Sequence, residues 1–106
     1  MWNLKMINKL SRLQKKLASS AVPLLKEGGQ LIYSTCTHSP EENESVVNFL
    51  VENFNLKLEK IELPVKCRPG IEQWEKQKFI KDINLACRVY PQDNNTEGFF
   101  LAKLRK

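Results

Sequence analysis

The sequence predicts a small α/β domain, and two observations carry that expectation. Apolar residues recur at helical spacing in two stretches, and the stretches between them are short apolar runs rich in β-branched and aromatic residues. The resulting order is helix, strand, helix, strand and a closing hairpin, as in a sheet flanked by helices. With 106 residues and 42% apolar content, one domain is the natural size. A chain this short buries a core with less margin than a larger one.

Residues 3 to about 26 form the first predicted helix, on the recurrence of Ile7, Leu10, Leu13 or Gln14, Leu17, Ala21 and Leu24. Pro23 falls inside that pattern and predicts a kink or break near Ser19 and Ser20. Gly28 and Gly29 supply a left-handed cap. Trp2, Leu4 and Met6 are expected to be exposed or partly packed. A chain that opens so abruptly in a helix is expected to belong to something longer. The first strand follows from Gly29 to Ser34. Ser39 as a cap, Pro40 at the first helical position and Glu42 three residues after the cap predict a second helix from Pro40 to about Asn53. Its buried stripe is Val46, Val47, Leu50, Val51 and Phe54, with Glu41, Glu44 and Glu52 facing water.

Leu56 to Leu63 alternates as a half-buried strand, with one slip near Lys60 that suggests a bulge. Pro64 and Arg68-Pro69-Gly70 mark turns, and a helical turn is expected around Trp74. A short strand from Ala86 to Tyr90, a polar turn from Pro91 to Thr96 and a last strand from Gly98 to Leu104 complete the hairpin.

The formal charge of +5 is unevenly placed. Lys5, Lys9, Arg12, Lys15, Lys16 and Lys26 stand in residues 1–26 with no acid among them, whereas the remaining residues carry 11 basic and 12 acidic side chains. A basic helix suits a phosphate backbone, which makes Lys9, Arg12 and Lys16 candidate phosphate contacts. A merely solvated helix face is the alternative. No apolar run approaches the ~20 residues of a membrane span, and no secretory segment opens the chain. The cytoplasm is the default location, with the nucleus second. Cys36, Cys67 and Cys87 lack metal-ligand spacing, so no metal site is expected. Their odd number also speaks against a disulfide framework.

Cys36 stands at the carboxyl end of the first strand, just before a helix amino terminus, where open α/β sheets bind ligands. That terminus favours a thiolate, the reactive form. On the residues alone, a small buried hydrophobe beneath the turn is the stronger reading. Cys67 and Cys87 are assigned to packing, and His38 to an exposed turn rather than to a base. Glu42 and Asn43 are expected to hold the helix start through the capping box. Of Phe99 and Phe100, one is expected in the core.

Tyr33-Ser34-Thr35-Cys36 followed by Pro40-Glu41-Glu42-Asn43-Glu44 strongly resembles the Nop/Sun family of RNA cytosine-5 methyltransferases. A second match lies in Arg88-Val89-Tyr90-Pro91 and in Thr96-Glu97-Gly98-Phe99-Phe100-Leu101-Ala102-Lys103. The resemblance implies the carboxyl-terminal portion of a Rossmann-like class I methyltransferase sheet. Gly29–Ser34 would be its fifth strand, Leu56–Leu63 its sixth and Gly98–Leu104 the antiparallel seventh, with the first four strands outside this chain. Residues 1–106 would then be a single partial domain.

The resemblance further makes Cys36 the nucleophile that adds to carbon 6 of cytosine. Ser34 and Thr35 are then candidates to orient the thiol or contact the flipped base, with ordinary turn and capping duty as the alternative. Arg88 is a candidate phosphate contact or else an exposed strand arginine. The methyl donor of the parent enzyme would be S-adenosylmethionine, yet the four glycines form no G-x-G-x-x-G and no Asp-x-Pro-Cys segment is present. The isolated chain is therefore expected to be inactive and without a donor site. Transfer or ribosomal RNA is the implied partner, beside the missing amino-terminal half or self-association at the open strand edge. Gln92 and Glu97 depart from the family's usual His and Asp. The alternatives are a non-catalytic RNA-binding remnant and one half of a split enzyme.

Overall fold

A computed structural model of the chain describes residues 4–74, 77–94 and 98–106. The expectations for Trp2, Thr96 and Glu97 lie outside these residues. Helix α1 (Leu4–Ala21) runs through the expected break. The Ser19 and Ser20 hydroxyls donate back to the Lys15 and Lys16 carbonyls at 2.6 and 3.1 Å, which absorbs both serines into the helix. The break comes at Pro23, within a single 3-10 turn, Val22–Leu24, after which Leu25 is extended. Gly28, at φ 79°, turns the chain into strand β1 (Gln30–Thr35), a conformation that glycine adopts without strain.

Helix α2 (Glu44–Phe54) opens at Glu44 and not at Pro40. Pro40 to Asn43 form turns, with Glu42 N donating to Ser39 O (3.1 Å) and Ser45 N to Pro40 O (2.9 Å). The Ser39 hydroxyl donates to Glu41 Oε2 at 2.6 Å instead of capping, so the expected capping box does not form. Asn55, left-handed at φ 55°, ends the helix.

The sheet is organised around β7 (Phe99–Arg105). Strand β1 lies antiparallel along one edge, Gln30 facing Arg105 and Thr35 facing Phe100. The other edge is shared end to end by β2 (Lys57–Glu59), facing Lys103–Arg105, and β6 (Cys87–Val89), facing Phe99–Leu101. Strand β3 (Arg68–Pro69) pairs beyond β6. Thus β1 and β2 run in the same direction with β7 between them, antiparallel as anticipated for the seventh strand. The expected strand Leu56–Leu63 is cut to three residues because β6 already holds the rest of that edge.

The helical turn expected around Trp74 is instead a two-stranded ribbon of β4 (Gln73–Trp74) and β5 (Gln77–Lys78). The turn after β6 contains a short helix, α3 (Pro91–Asn94).

The core lies between α2 and the sheet: Val46, Val47 and Leu50 against Leu56, Leu58, Ile83, Ala86, Phe100, Ala102 and Leu104. Strand β7 alternates, sending Phe100, Ala102 and Leu104 inward while Phe99 stays half-buried. Helix α1 packs on α2, but its buried side is rotated from the predicted stripe. Ser11 is buried and Ile7, Leu10 and Ala18 are half-buried, whereas Leu13, Leu17 and Leu24 are exposed. Of these, Leu17 lies beside the edge of β1 away from β7, a strand that pairs with β7 alone among the described residues. There Gln14, Leu17 and Ala18 line a cleft of about 320 Å³ with residues 31–35.

Candidate active site

The first residue beyond β1 is Cys36, and its thiol is exposed. The turn that carries it is bonded back to the strand at several points. The Thr35 hydroxyl donates to Asn43 Oδ1 at 2.5 Å, and Asn43 Nδ2 donates to Thr37 O at 2.9 Å. Ser39 N donates to Thr37 Oγ1 at 3.2 Å. The Tyr33 hydroxyl donates to Glu42 O at 2.6 Å, and burial, then the Glu42 charge, raises the pKa of that phenol well above its usual value. From α1, the Ser11 hydroxyl donates to Glu41 O at 2.5 Å and Gln14 Nε2 to Glu42 Oε1 at 3.3 Å. Burial raises the pKa of Glu42 even though Gln14 and Thr37 both donate to it. Asn43 and Glu42 therefore close the turn rather than cap the helix.

Beneath the turn sits a buried ion pair. Arg88 Nε and Nη2 donate to the two Glu44 oxygens at 2.5 and 2.6 Å, and the side chains are 3% and 0% exposed. Arg88 Nη1 donates to His38 O at 3.0 Å and to the Tyr90 hydroxyl at 3.3 Å. Glu44 Oε2 also accepts Ile71 N at 2.8 Å. Burial opposes the Arg88 charge, yet the bonds and the charge of Glu44 outweigh it and raise the guanidinium pKa. Two expectations are corrected here. Glu44 does not face water, and the Arg88 guanidinium is spent inside the protein rather than offered to a phosphate. The sequence carried a signal for Glu44: it precedes Val47 by three residues and so shares the buried face of α2.

His38 is exposed, as expected of a turn residue. Its ring, however, lies parallel to Tyr90, with centroids 5.1 Å apart and planes 8° off. Tyr90 also takes the Arg68 guanidinium, 4.8 Å from its ring centre, and Arg68 pairs with both Asp93 oxygens at 2.8 and 2.9 Å. Across the turn, Trp74 Nε1 donates to Glu41 Oε1 at 2.6 Å. Burial opposes the Glu41 charge, but its bonds from Ser39, its own backbone and Trp74 lower the pKa overall.

Ser34 and Thr35 sit on β1 immediately before Cys36, Ser34 exposed and Thr35 half-buried. Lys9, Arg12 and Lys16 are exposed on α1, three- and four-residue steps that form one stripe. That helix reaches the Cys36 turn through Ser11 and Gln14, so the basic stripe and the thiol belong to neighbouring elements. Lys15 instead lies over the Phe49 ring at 5.7 Å, and burial lowers its pKa.

Cys87 is buried, and its thiol is pushed up to about 12 by burial and then by its contact with Cys67. Cys67 is exposed and donates to Val65 O at 3.9 Å. Among the described residues no group of His, Cys, Asp and Glu could hold a metal ion, and no helix is long and apolar enough to cross a membrane. The glycines offer no cradle for a nucleotide-like cofactor. Gly28 and Gly29 tie into the end of β7 through Lys106, Gly70 is packed on Ile83 and Ala86, and Gly98 faces His38.

The family model for 16S rRNA methyltransferase RsmB/F matches residues 3–105. The tRNA (cytosine(49)-C(5))-methyltransferase of Pyrococcus abyssi is 46% identical over 105 residues, which is 99% of this chain and 34% of that protein. A methyltransferase homologue from Pyrococcus horikoshii superposes with a TM-score of 0.90 at 34% identity, over 99% of this chain and 33% of that one. NSun6 from Pyrococcus horikoshii, solved with SFG, gives 0.83 at 39% identity, over 100% of this chain and 24% of its own. The chain thus spans about a third or less of the relatives it matches.

Proposed function

Because this chain belongs to the RsmB/F group of RNA cytosine-5 methyltransferases, we propose that it is the nucleophile-bearing third of such an enzyme. In this reading the Cys36 thiolate forms a bond to carbon 6 of a cytosine flipped out of structured RNA. The electrons of the ring double bond move to carbon 5, which becomes nucleophilic enough to accept a methyl group. Loss of the carbon-5 proton then restores the double bond and expels the thiolate, so one hard substitution is divided into easier steps.

S-adenosylmethionine, the donor that the family resemblance implies, supplies an activated methyl group when bound. The described residues do not fit it, since their glycines form no glycine-rich loop that could cradle it. Donor binding is assigned to sequence outside these 106 residues, and the chain alone does not turn over. Thr35 and Asn43 fix the backbone that presents the thiol, and Ser34 lies one step further along the same strand for contact with the base. Lys9, Arg12 and Lys16 take RNA phosphates, whether of transfer or ribosomal RNA. Arg88 holds the turn through Glu44 and His38 O.

The observation that carries this reading is an exposed thiol on a turn hydrogen-bonded to both β1 and the start of α2, within a family-matched segment. The test is to transplant these residues into the matching third of the Pyrococcus abyssi relative and assay methyl transfer to RNA. Cys36→Ala should abolish turnover, while Cys67→Ala and Cys87→Ala retain most of it. Normal turnover by Cys36→Ala would end the assignment.

A further inference from the structure

We propose that the His38 ring is a stacking platform for a nucleobase of single-stranded RNA next to Cys36. The inference deepens the RNA reading above and rests on it. An exposed turn histidine is ordinarily free to rotate, and this one is held at every level. Its carbonyl accepts Arg88 Nη1 at 3.0 Å. Its ring lies parallel to Tyr90 at 5.1 Å. Tyr90 is in turn fixed by Arg88 at its hydroxyl and by the Arg68 guanidinium against its ring.

Gly98 completes the seat. A Cβ there would fall 2.5 Å from His38 Nε2 and 2.6 Å from Cε1, so glycine leaves the space that the ring fills. The ordering cost of the ring is thus met in folding, and His38 remains exposed two residues from the thiol. Preorganised aromatic faces of this kind bind unstacked bases, and extrusion of a cytosine leaves neighbouring bases unstacked. Stacking accepts any base, so the class recognised is a nucleobase of a single strand rather than a particular sequence. The positive stripe on α1 would hold the backbone of the same strand.

The test uses the full chain and two short single-stranded RNAs of equal length, one with its bases and one abasic. Their phosphates are the same in number, so contacts from α1 contribute alike to both. The wild-type chain should prefer the base-bearing strand by about 5- to 150-fold, the range for stacking of one base. His38→Ala should lose at least 5-fold of that preference, whereas His38→Phe keeps it. Gly98→Ala, which displaces the ring while leaving the rest of the fold, should behave like His38→Ala, with circular dichroism confirming that each variant is folded.

Cys67→Ala, which removes an exposed thiol with no part in the stack or the turn, should bind as the wild type does, so that loss of a thiol as such does not imitate loss of the platform. Equal affinity for both RNAs, full preference retained in His38→Ala, or preference lost in His38→Phe would overturn the platform alone. Binding to neither RNA would overturn the RNA reading of this chain and the platform with it.

Discussion

Arg88→Met tests how the motif residues hold the Cys36 turn. The substitution keeps much of the side-chain volume but leaves the Glu44 carboxylate, 0% exposed, with Ile71 N as its remaining described partner. Removing one member of a buried pair costs about 3–5 kcal/mol, because the other charge stays buried without its counter-charge. A domain of this size has about 5–15 kcal/mol in total. At about 4–8 °C per kcal/mol, the melting temperature should fall by about 12–40 °C. Glu44→Leu alone should also be severely destabilising, since it strands the Arg88 guanidinium.

The double variant should be more stable than either single one, because replacing both charges removes the desolvation penalty. It should not recover fully, since Ile71 N and His38 O each lose a partner at about 1–3 kcal/mol if left buried. Urea unfolding followed by tryptophan fluorescence reads all four proteins. An Arg88→Met loss below about 1 kcal/mol, or a double variant that costs the sum of the singles, would refute the reasoning.

Replacing Lys9, Arg12 and Lys16 by Gln should weaken RNA binding regardless of sequence. It should also reduce the slope of log affinity against log salt by about 2, at about 0.7 per phosphate contact on a single strand; an unchanged slope returns the stripe to a solvated face. The free edge of β1 and the exposed Ile32, Leu13, Leu17 and Leu24 should make the isolated chain associate with rising concentration in sedimentation, and Ile32→Lys should suppress it. Cys87 holds its proton up to about pH 12 in the fold, against about 8.5 when unfolded. Its contribution to stability is therefore full below about pH 8.5 and falls as pH rises towards 12. Cys87→Ala should flatten that alkaline decline, measured by urea titrations across the range.

The order of the main elements and the place of Cys36 directly after β1 were legible because both depend on local pattern. The helix start expected beside Cys36, however, lies further on at Glu44, and the thiol is exposed rather than buried. The apolar run of β1 and the buried face of α2 declare themselves within a few residues. What failed was set by tertiary competition. The capping box from Ser39 to Glu42 is chemically sound, but Gln14 and Thr37 draw the Glu42 carboxylate elsewhere, Ser39 donates to Glu41, and α2 starts four residues later. The strand after Leu56 stops early because β6 takes the same edge of β7, a fact that no window of sequence contains. Arg88 looked like a phosphate ligand because its partner stands 44 positions away. The His38–Tyr90 stack and the reason for Gly98 were invisible for the same cause.

The central claim is that Cys36 is the nucleophile, and trapping the covalent adduct tests it most directly. The transplanted enzyme is incubated with S-adenosylmethionine and RNA in which 5-fluorocytosine replaces the target base. Fluorine cannot leave as the carbon-5 proton does, so the thiolate is not expelled and the protein stays joined to RNA. Mass spectrometry of the digested complex should find the nucleotide on the peptide that contains Cys36. An adduct on Cys67, on Cys87 or on a cysteine of the surrounding relative, or turnover of ordinary RNA with no adduct at all, would contradict the account.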